Sequence, residues 1–304
     1  MNKTAFVFAG QGAQTVGMGH DLYEQFDSVK KVYDICGETR DLCFKGPKEQ
    51  LDITVYTQPA VFLTGLACAQ ALSEKGIKAD GTAGFSLGEV TAACFAGLMD
   101  TRQAFDFVKY RAKSMHDCSI SSKGTMFAVL KLSNDKVEEV CNSLLEAYPV
   151  NYNSPGQVVV ACAETTSEKL QQVVAENGGK AIKLAVSGAF HSPFMNGACR
   201  DVAEYLKNEK LGTLTQPLYS NTIAIEYDSS DINQKELLAK QINHPVLWQK
   251  QVETMISDGF NTFIEVGPGK TLTGLINKIS TEVKTYYVSD IPSLENTIEN
   301  LLRR

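Results

Sequence analysis

Gly84-Phe85-Ser86-Leu87-Gly88-Glu89 contains the pattern G-x-S-x-G. Such a pattern suits a sharp turn from a strand into a helix, with the serine at its apex. A side chain at either flank would crowd the tight backbone, which is why glycines stand there. The helix after the turn would aim its first N–H groups at whatever the serine attacks. Val90 to Met99 is apolar and alanine-rich, and Glu89 lies in its first turn, where a carboxylate suits the helix dipole. The strand before the turn, Ala79-Asp80-Gly81-Thr82-Ala83, is short and weak. A serine between glycines is also an ordinary turn residue, so the rest of the chain has to support a nucleophile.

Working outward, the chain reads as strands alternating with helices on both sides of a polar hinge at Ser119 to Gly124. Ala5 to Phe8 is a first strand running into Gly10-Gln11-Gly12, a place to present an amide and backbone N–H groups at a sheet edge. Helices are expected over 21–26, 29–39 and 58–74, the last with Pro59 in its first turn. Beyond the serine helix, a helix over 101–118 carries an apolar stripe of Phe105, Val108, Ala112 and Met115. Arg111 faces the same side. A guanidinium on a core-facing stripe costs several kcal/mol unless something pairs it. It either snorkels, meets a structural carboxylate, or waits for the carboxylate of a substrate.

After the hinge the order is strand (125–132), helix (134–147), strand (150–153), strand (157–163), helix (166–177), strand (180–186). This β-α-β-β-α-β order matches the ferredoxin-like motif and makes a compact unit of about 65 residues. A loop, Ser187-Gly188-Ala189-Phe190-His191-Ser192-Pro193, follows it. Further strands are expected at 217–221, 262–266 and 285–288, with helices at 235–242, 246–258 and from Ser293. The expected fold is therefore α/β. A large α/β-hydrolase-like subdomain with a mostly parallel sheet (1–121 and 189–304) carries an inserted ferredoxin-like small subdomain (122–188).

With 304 residues, 43% hydrophobic and 21% charged, the chain reads as an ordinary soluble globular protein. No apolar run is long enough to span a bilayer, and the first residues lack a signal-peptide core, so a cytoplasmic location is expected. The eight cysteines form no C-x-x-C pair and read as buried reduced thiols rather than disulfides or metal ligands. A net charge of −6 argues against a general nucleic-acid binder and leaves room for a local basic patch.

A serine hydroxyl needs a base beside it. Of the four histidines, His20, His116, His191 and His244, spacing selects none, but the loop bracketed by Gly188 and Pro193 favours His191.

Taken together, Gly10-Gln11-Gly12-Ala13-Gln14, Gly84 to Glu89, Arg111, Gly188 to Ser192 and Glu265-Val266-Gly267-Pro268-Gly269 resemble the ordered motifs of malonyl-CoA:acyl carrier protein transacylases. The similarity runs from Phe6 to about Leu275. Any one motif is weak; five in the right order are specific. The resemblance implies a dyad of Ser86 as nucleophile and His191 as general base and acid. It also implies that the histidine is oriented by the backbone carbonyl of Gln241, with an oxyanion hole at the N–H groups of Gln11 and Leu87. By the same resemblance Arg111 pairs with the free malonyl carboxylate, Asn153 lines the cleft, and Phe190 matches malonyl-preferring members. The implied partners are a coenzyme A thioester as substrate and an acidic acyl carrier protein, with Lys180 and Lys183 as candidate docking residues. No cofactor, no metal, no nucleic acid and no membrane are implied, and a monomer is expected. Three positions depart from the family pattern: Phe85 stands where His is usual, Val90 where Tyr is usual and Ala9 where Pro is usual. A serine hydrolase, a non-catalytic carrier-docking module and a polyketide-serving acyltransferase are the rival readings.

Overall fold

The computed structural model describes residues 3–186, 188–227 and 234–302. Among these, eight strands form two separate sheets: β1 (Lys3–Phe8), β2 (Gly81–Gly84), β3 (Gly124–Leu130), β4 (Ala147–Ser154), β5 (Gln157–Ala163), β6 (Lys180–Lys183), β7 (Phe260–Val266) and β8 (Lys284–Val288).

The first sheet has the order β2-β1-β7-β8, every pair parallel. Ala5 to Phe8 and Phe263 to Val266 are fully buried, or nearly so, as expected of central strands covered on both faces. One cover is the helix Thr54–Glu74, which is apolar around most of its circumference and buried along most of its length. Trp248, Val252 and Leu275, from helices on the other side, pack with Val7 and Phe263.

The second sheet is built entirely from residues 124–183. It is antiparallel, in the order β4-β5-β3-β6, the ferredoxin-like arrangement. Alternation along β3 sends Phe127 and Val129 into a core with Val137, Val140, Leu170 and Val174 from the two covering helices. Met126 and Ala128 point the other way, Met126 into a cavity that Ser86 lines and Ala128 into its neighbour.

The structure differs from the local expectations at several places. The helix expected over 134–147 ends at Asn142, because Glu146 turns with φ 52° and Ala147 already pairs with Cys162 in β4. Pro149 sits inside β4 rather than before it. That strand is an edge strand whose register shifts between Pro149 and Asn151, so the missing N–H costs no ladder bond. The long helix begins at Thr54, which puts Pro59 in its second turn. The helix expected over 29–39 is two helices, Asp27–Tyr33 and Gly37–Lys45. The strand expected at 217–221 makes only isolated bridges, Leu218 with Thr82 and Tyr219 with Glu226, since Asn221 turns inward to bond the loop around Ser86.

Candidate active site

Strand β2 ends at Gly84 and the helix Leu87–Phe95 begins three residues later, so the whole reversal falls on Phe85 and Ser86. Close approach explains the glycines. A Cβ on Gly84 would lie 2.0 Å from the carbonyl of Gly88, and one on Gly88 would lie 2.0 Å from the carbonyl oxygen of Phe8. Ser86 takes φ 53° and ψ −107°, a sparsely populated conformation for a residue with a side chain. His191 has φ 60°, so both reacting side chains sit on strained backbone.

The Ser86 Oγ is 2.8 Å from His191 Nε2. On the far side of the ring, Nδ1 is 2.7 Å from the backbone oxygen of Gln241. A carbonyl can only accept, so Nδ1 carries the proton and Nε2 is free to accept from the serine. Burial first, and the Arg111 charge second, push the imidazole down to about 4, so it is neutral near pH 7. The other three histidines lie elsewhere: His20 is 3.7 Å from Glu24, His244 Nδ1 is 2.9 Å from the carbonyl of Lys240, and His116 lies on the helix Thr101–Ser121.

Arg111 is 1% exposed. Its Nη1 donates to Gln58 Oε1 at 2.6 Å, and its Nη2 donates to Gln241 Oε1 at 2.7 Å and to Ser86 Oγ at 3.3 Å. Its Nε is buried without a partner among the described residues. The expected stripe thus does carry a buried guanidinium, but neutral amides hold it rather than nothing. Burial pulls it down to about 10, and the charge of Glu89 partly offsets this.

Behind the serine lies a polar network that sequence reasoning missed. Gln241 Nε2 donates to Ser86 O at 2.6 Å and to Glu89 Oε2 at 2.7 Å. Glu89 Oε1 accepts from the Tyr227 hydroxyl at 2.6 Å and from Asn221 N–H at 3.2 Å. The Asn221 side-chain oxygen accepts from Ser86 N–H at 2.8 Å, and its amide donates to Gly84 O and Gln251 Oε1. One available signal was Glu89 itself: a carboxylate on a helix that is apolar apart from Thr91 has to find donors.

The helix begins at Leu87. Gly88 N–H donates to Phe85 O at 2.8 Å and Glu89 N–H to Ser86 O at 3.0 Å, which leaves the N–H of Leu87, the residue after the serine, as the helix-start donor not used by the turn. Gln11, Leu87, Ser86, His191 and Phe190 line one cavity of about 140 Å³, closed by Met115, Met126 and Val159. Asn151 also lines it. Asn153, one pleat further along β4, lines a neighbouring cavity of about 300 Å³ that shares Gln11, Phe85 and Asn151 with the first. The side-chain oxygens of both asparagines are buried without partners among the described residues. Phe85 packs edge-on against Trp248 with ring centroids 5.7 Å apart, so this one of the three positions that depart from the family pattern is used for apolar packing.

Lys180 and Lys183 are both exposed on the edge strand β6. Their spacing of three puts them on opposite faces. Lys180 lies opposite Leu130, on the face of Met126 and Ala128, whereas Lys183 lies opposite Phe127, on the face that the helices cover.

The acyl transferase domain family matches residues 5–295. The malonyl CoA-acyl carrier protein transacylase of Bacillus subtilis (strain 168) is 36% identical, with 99% of this chain and 98% of the relative covered. That of Haemophilus influenzae is 35% identical, covering 99% of this chain and 100% of the relative. Among solved structures, the transacylase of Clostridium perfringens superposes with a TM-score of 0.95 at 36% identity, covering 99% of this chain and 98% of its own. A malonyl-transacylase solved in complex with a type II polyketide acyl-carrier protein gives 0.91 at 32% identity, covering 98% and 100%.

Proposed function

The chain belongs to the acyl transferase family, among the malonyl CoA-acyl carrier protein transacylases, and we propose that it moves malonyl from coenzyme A to the phosphopantetheine thiol of a carrier protein through a malonyl ester on Ser86. One observation carries this reading: a fully buried guanidinium, held only by neutral groups, reaches to 3.3 Å from the Ser86 hydroxyl oxygen.

His191 Nε2 takes the hydroxyl proton as Ser86 Oγ attacks the thioester carbonyl. The oxyanion that forms is received by the backbone N–H groups of Leu87 and Gln11. The carbon–sulfur bond then breaks, and the proton on Nε2 goes to the departing coenzyme A sulfur. In the second half His191 deprotonates the carrier thiol, which attacks the ester, and Ser86 Oγ recovers the proton. The Gln241 carbonyl keeps the ring in one tautomer through both halves. Arg111 receives the free carboxylate in a charge-assisted pair. An acetyl group offers that cation nothing, so the buried charge itself discriminates.

The Asn153 oxygen, buried and unpartnered beside the cleft, is an acceptor suited to an amide N–H of the pantetheine arm. Every group these steps use comes from one chain, so we take the monomer as the working unit. The reading invokes no cofactor, and coenzyme A enters as substrate. All eight cysteines are free, which supports a reducing compartment, the cytoplasm.

Intact-protein mass tests the reading. Wild-type chain mixed with malonyl-CoA should gain one malonyl group and Ser86→Ala none. The adduct should persist in buffer and vanish on adding holo carrier protein. Loss at the same rate without a thiol would make the chain a hydrolase. Fatty-acid and polyketide carriers, compared side by side, settle which one it serves.

A further inference from the structure

Gln241 connects three groups that the reaction has to keep in place. Its backbone oxygen holds His191 Nδ1 at 2.7 Å, its side-chain oxygen holds Arg111 Nη2 at 2.7 Å, and its side-chain nitrogen holds Glu89 Oε2 at 2.7 Å. The amide has one possible orientation. Reversed, its NH₂ would face the guanidinium donors, and its oxygen would face the Glu89 carboxylate and the Ser86 carbonyl. Glu89 and Arg111 are each 1% exposed or less and do not touch, so the amide is the polarised link between a buried anion and a buried cation.

On the malonyl-transfer reading above, we propose that Glu89 is the counter-charge that holds Arg111 ready in the empty site, acting through the Gln241 amide, and that Glu89 takes up a proton from solvent when the malonyl carboxylate engages Arg111. Without substrate, one buried cation faces one buried anion. With substrate, two carboxylates share one guanidinium, and the one without direct contact is the one to be neutralised. The proton has a place to go. Glu89 Oε1 faces the Tyr227 hydroxyl at 2.6 Å, which can accept from a protonated carboxyl once its own proton turns toward Ser220. The groups facing Glu89 are Tyr227 and Asn221 from one segment, Gln241 from another, and Arg111 as the nearby charge from a third. Burial already holds Glu89 at about 7, and Arg111 is the one charge lowering it, so offsetting Arg111 moves it further up. His191, at about 4, is too far below neutrality to supply the same uptake. Glu89 is a positioning residue that never meets the substrate.

The test uses the full chain carrying Ser86→Ala, which binds without being acylated. Malonyl-CoA and acetyl-CoA are titrated calorimetrically at pH 7 in two buffers of different ionisation enthalpy. Acetyl-CoA cancels any uptake by the coenzyme's own phosphates. Malonyl-CoA should bind with up to about half a proton more uptake than acetyl-CoA, since a group near 7 is half protonated beforehand. Adding Glu89→Gln should abolish that difference. Should that double variant not fold, the Ser86→Ala protein alone still decides. Its affinity for malonyl-CoA relative to acetyl-CoA should weaken as pH rises above 7, approaching about tenfold per unit. A malonyl preference without extra proton uptake, or with uptake unchanged by Glu89→Gln, overturns the role of Glu89 and leaves the malonyl reading standing. No preference for malonyl-CoA at all overturns the reading itself.

Discussion

Arg111 Nη2 donates to the Ser86 hydroxyl oxygen at 3.3 Å, so the buried cation stands directly against the nucleophile, although it lines neither of the two cavities at the cleft. The same hydroxyl faces His191 Nε2 at 2.8 Å. A thioester whose carbonyl reaches the serine therefore has its far end within reach of the guanidinium, and the consequences can be measured.

Arg111→Ala removes the carboxylate partner. We expect kcat/KM for malonyl-CoA to fall about 10²-fold, the loss of roughly 3 kcal/mol that a buried charged pair supplies. Use of acetyl-CoA should be unchanged or improved. Steady-state kinetics on both thioesters checks this; an equal fall on both would remove the clamp role.

Because His191 acts as a neutral base and is held down to about 4, activity should not show the limb near 6.5 of an ordinary histidine. The profile of kcat/KM for malonyl-CoA should decline above about 7, where Glu89 is ionised in the empty site, hold level on the acid side of that, and fall again only toward about 4. In the malonyl complex the substrate carboxylate offsets Arg111, so the limb in kcat should lie higher than the limb in kcat/KM. A loss of kcat/KM on acidification that sets in above 6 would contradict the buried, Arg111-facing imidazole.

Glu89 is raised from 4.5 to about 7 in the folded chain, chiefly by burial. Between these values the folded state binds more protons than the unfolded one. Its contribution to stability is therefore fully present below 4.5 and is lost as pH rises to about 7. Glu89→Gln lacks that titration. Melting temperatures of the two proteins across pH 4.5 to 8 should show the difference moving in the variant's favour up to about pH 7 and level thereafter. A difference that does not change with pH would mean that Glu89 is charged throughout.

Gly84→Ala tests the turn. The new methyl would meet backbone atoms of Gly88 and Glu89 at 2.0 to 2.4 Å, and neither can retreat without moving the start of the serine helix. Overpacking of this kind costs typically 1–3 kcal/mol and more where backbone is hit, so we place Gly84→Ala at or above about 3 kcal/mol. Ser86 acylation should be lost even in whatever fraction folds. Chemical denaturation with the mass assay reads both.

Lys180→Glu, on the cleft-side face of β6, should raise KM for carrier protein about 3- to 10-fold and leave that for malonyl-CoA alone, since a rim charge acts on encounter with an acidic partner. Lys183→Glu, on the opposite face, should do less. Equal effects from the two would show that the carrier does not approach along the cleft.

Much of this architecture was legible in one dimension because its signals are local. The serine turn is a spacing of five residues, the inserted sheet is an alternation of period 2 broken by two helical stretches, and Arg111 betrays itself by standing on an apolar stripe. The Ser86–His191 pairing was less legible, since 105 residues separate the two and only the Gly- and Pro-bracketed loop hinted at which histidine.

By itself the sequence determined the elbow, the order of elements and a cation that burial would force into the core, since each follows from steric or hydrophobic periodicity over a few turns. Only the tertiary structure decided that Gln58, Gln241, Asn221, Tyr227 and Glu89 converge behind that elbow. It also decided that Asn151 lines both the serine cavity and the adjoining one, while Asn153 lines only the latter. Polar groups of this kind have no period. Their partners are chosen by which donors and acceptors the packed helices leave unsatisfied, and that choice exists only once the core has closed.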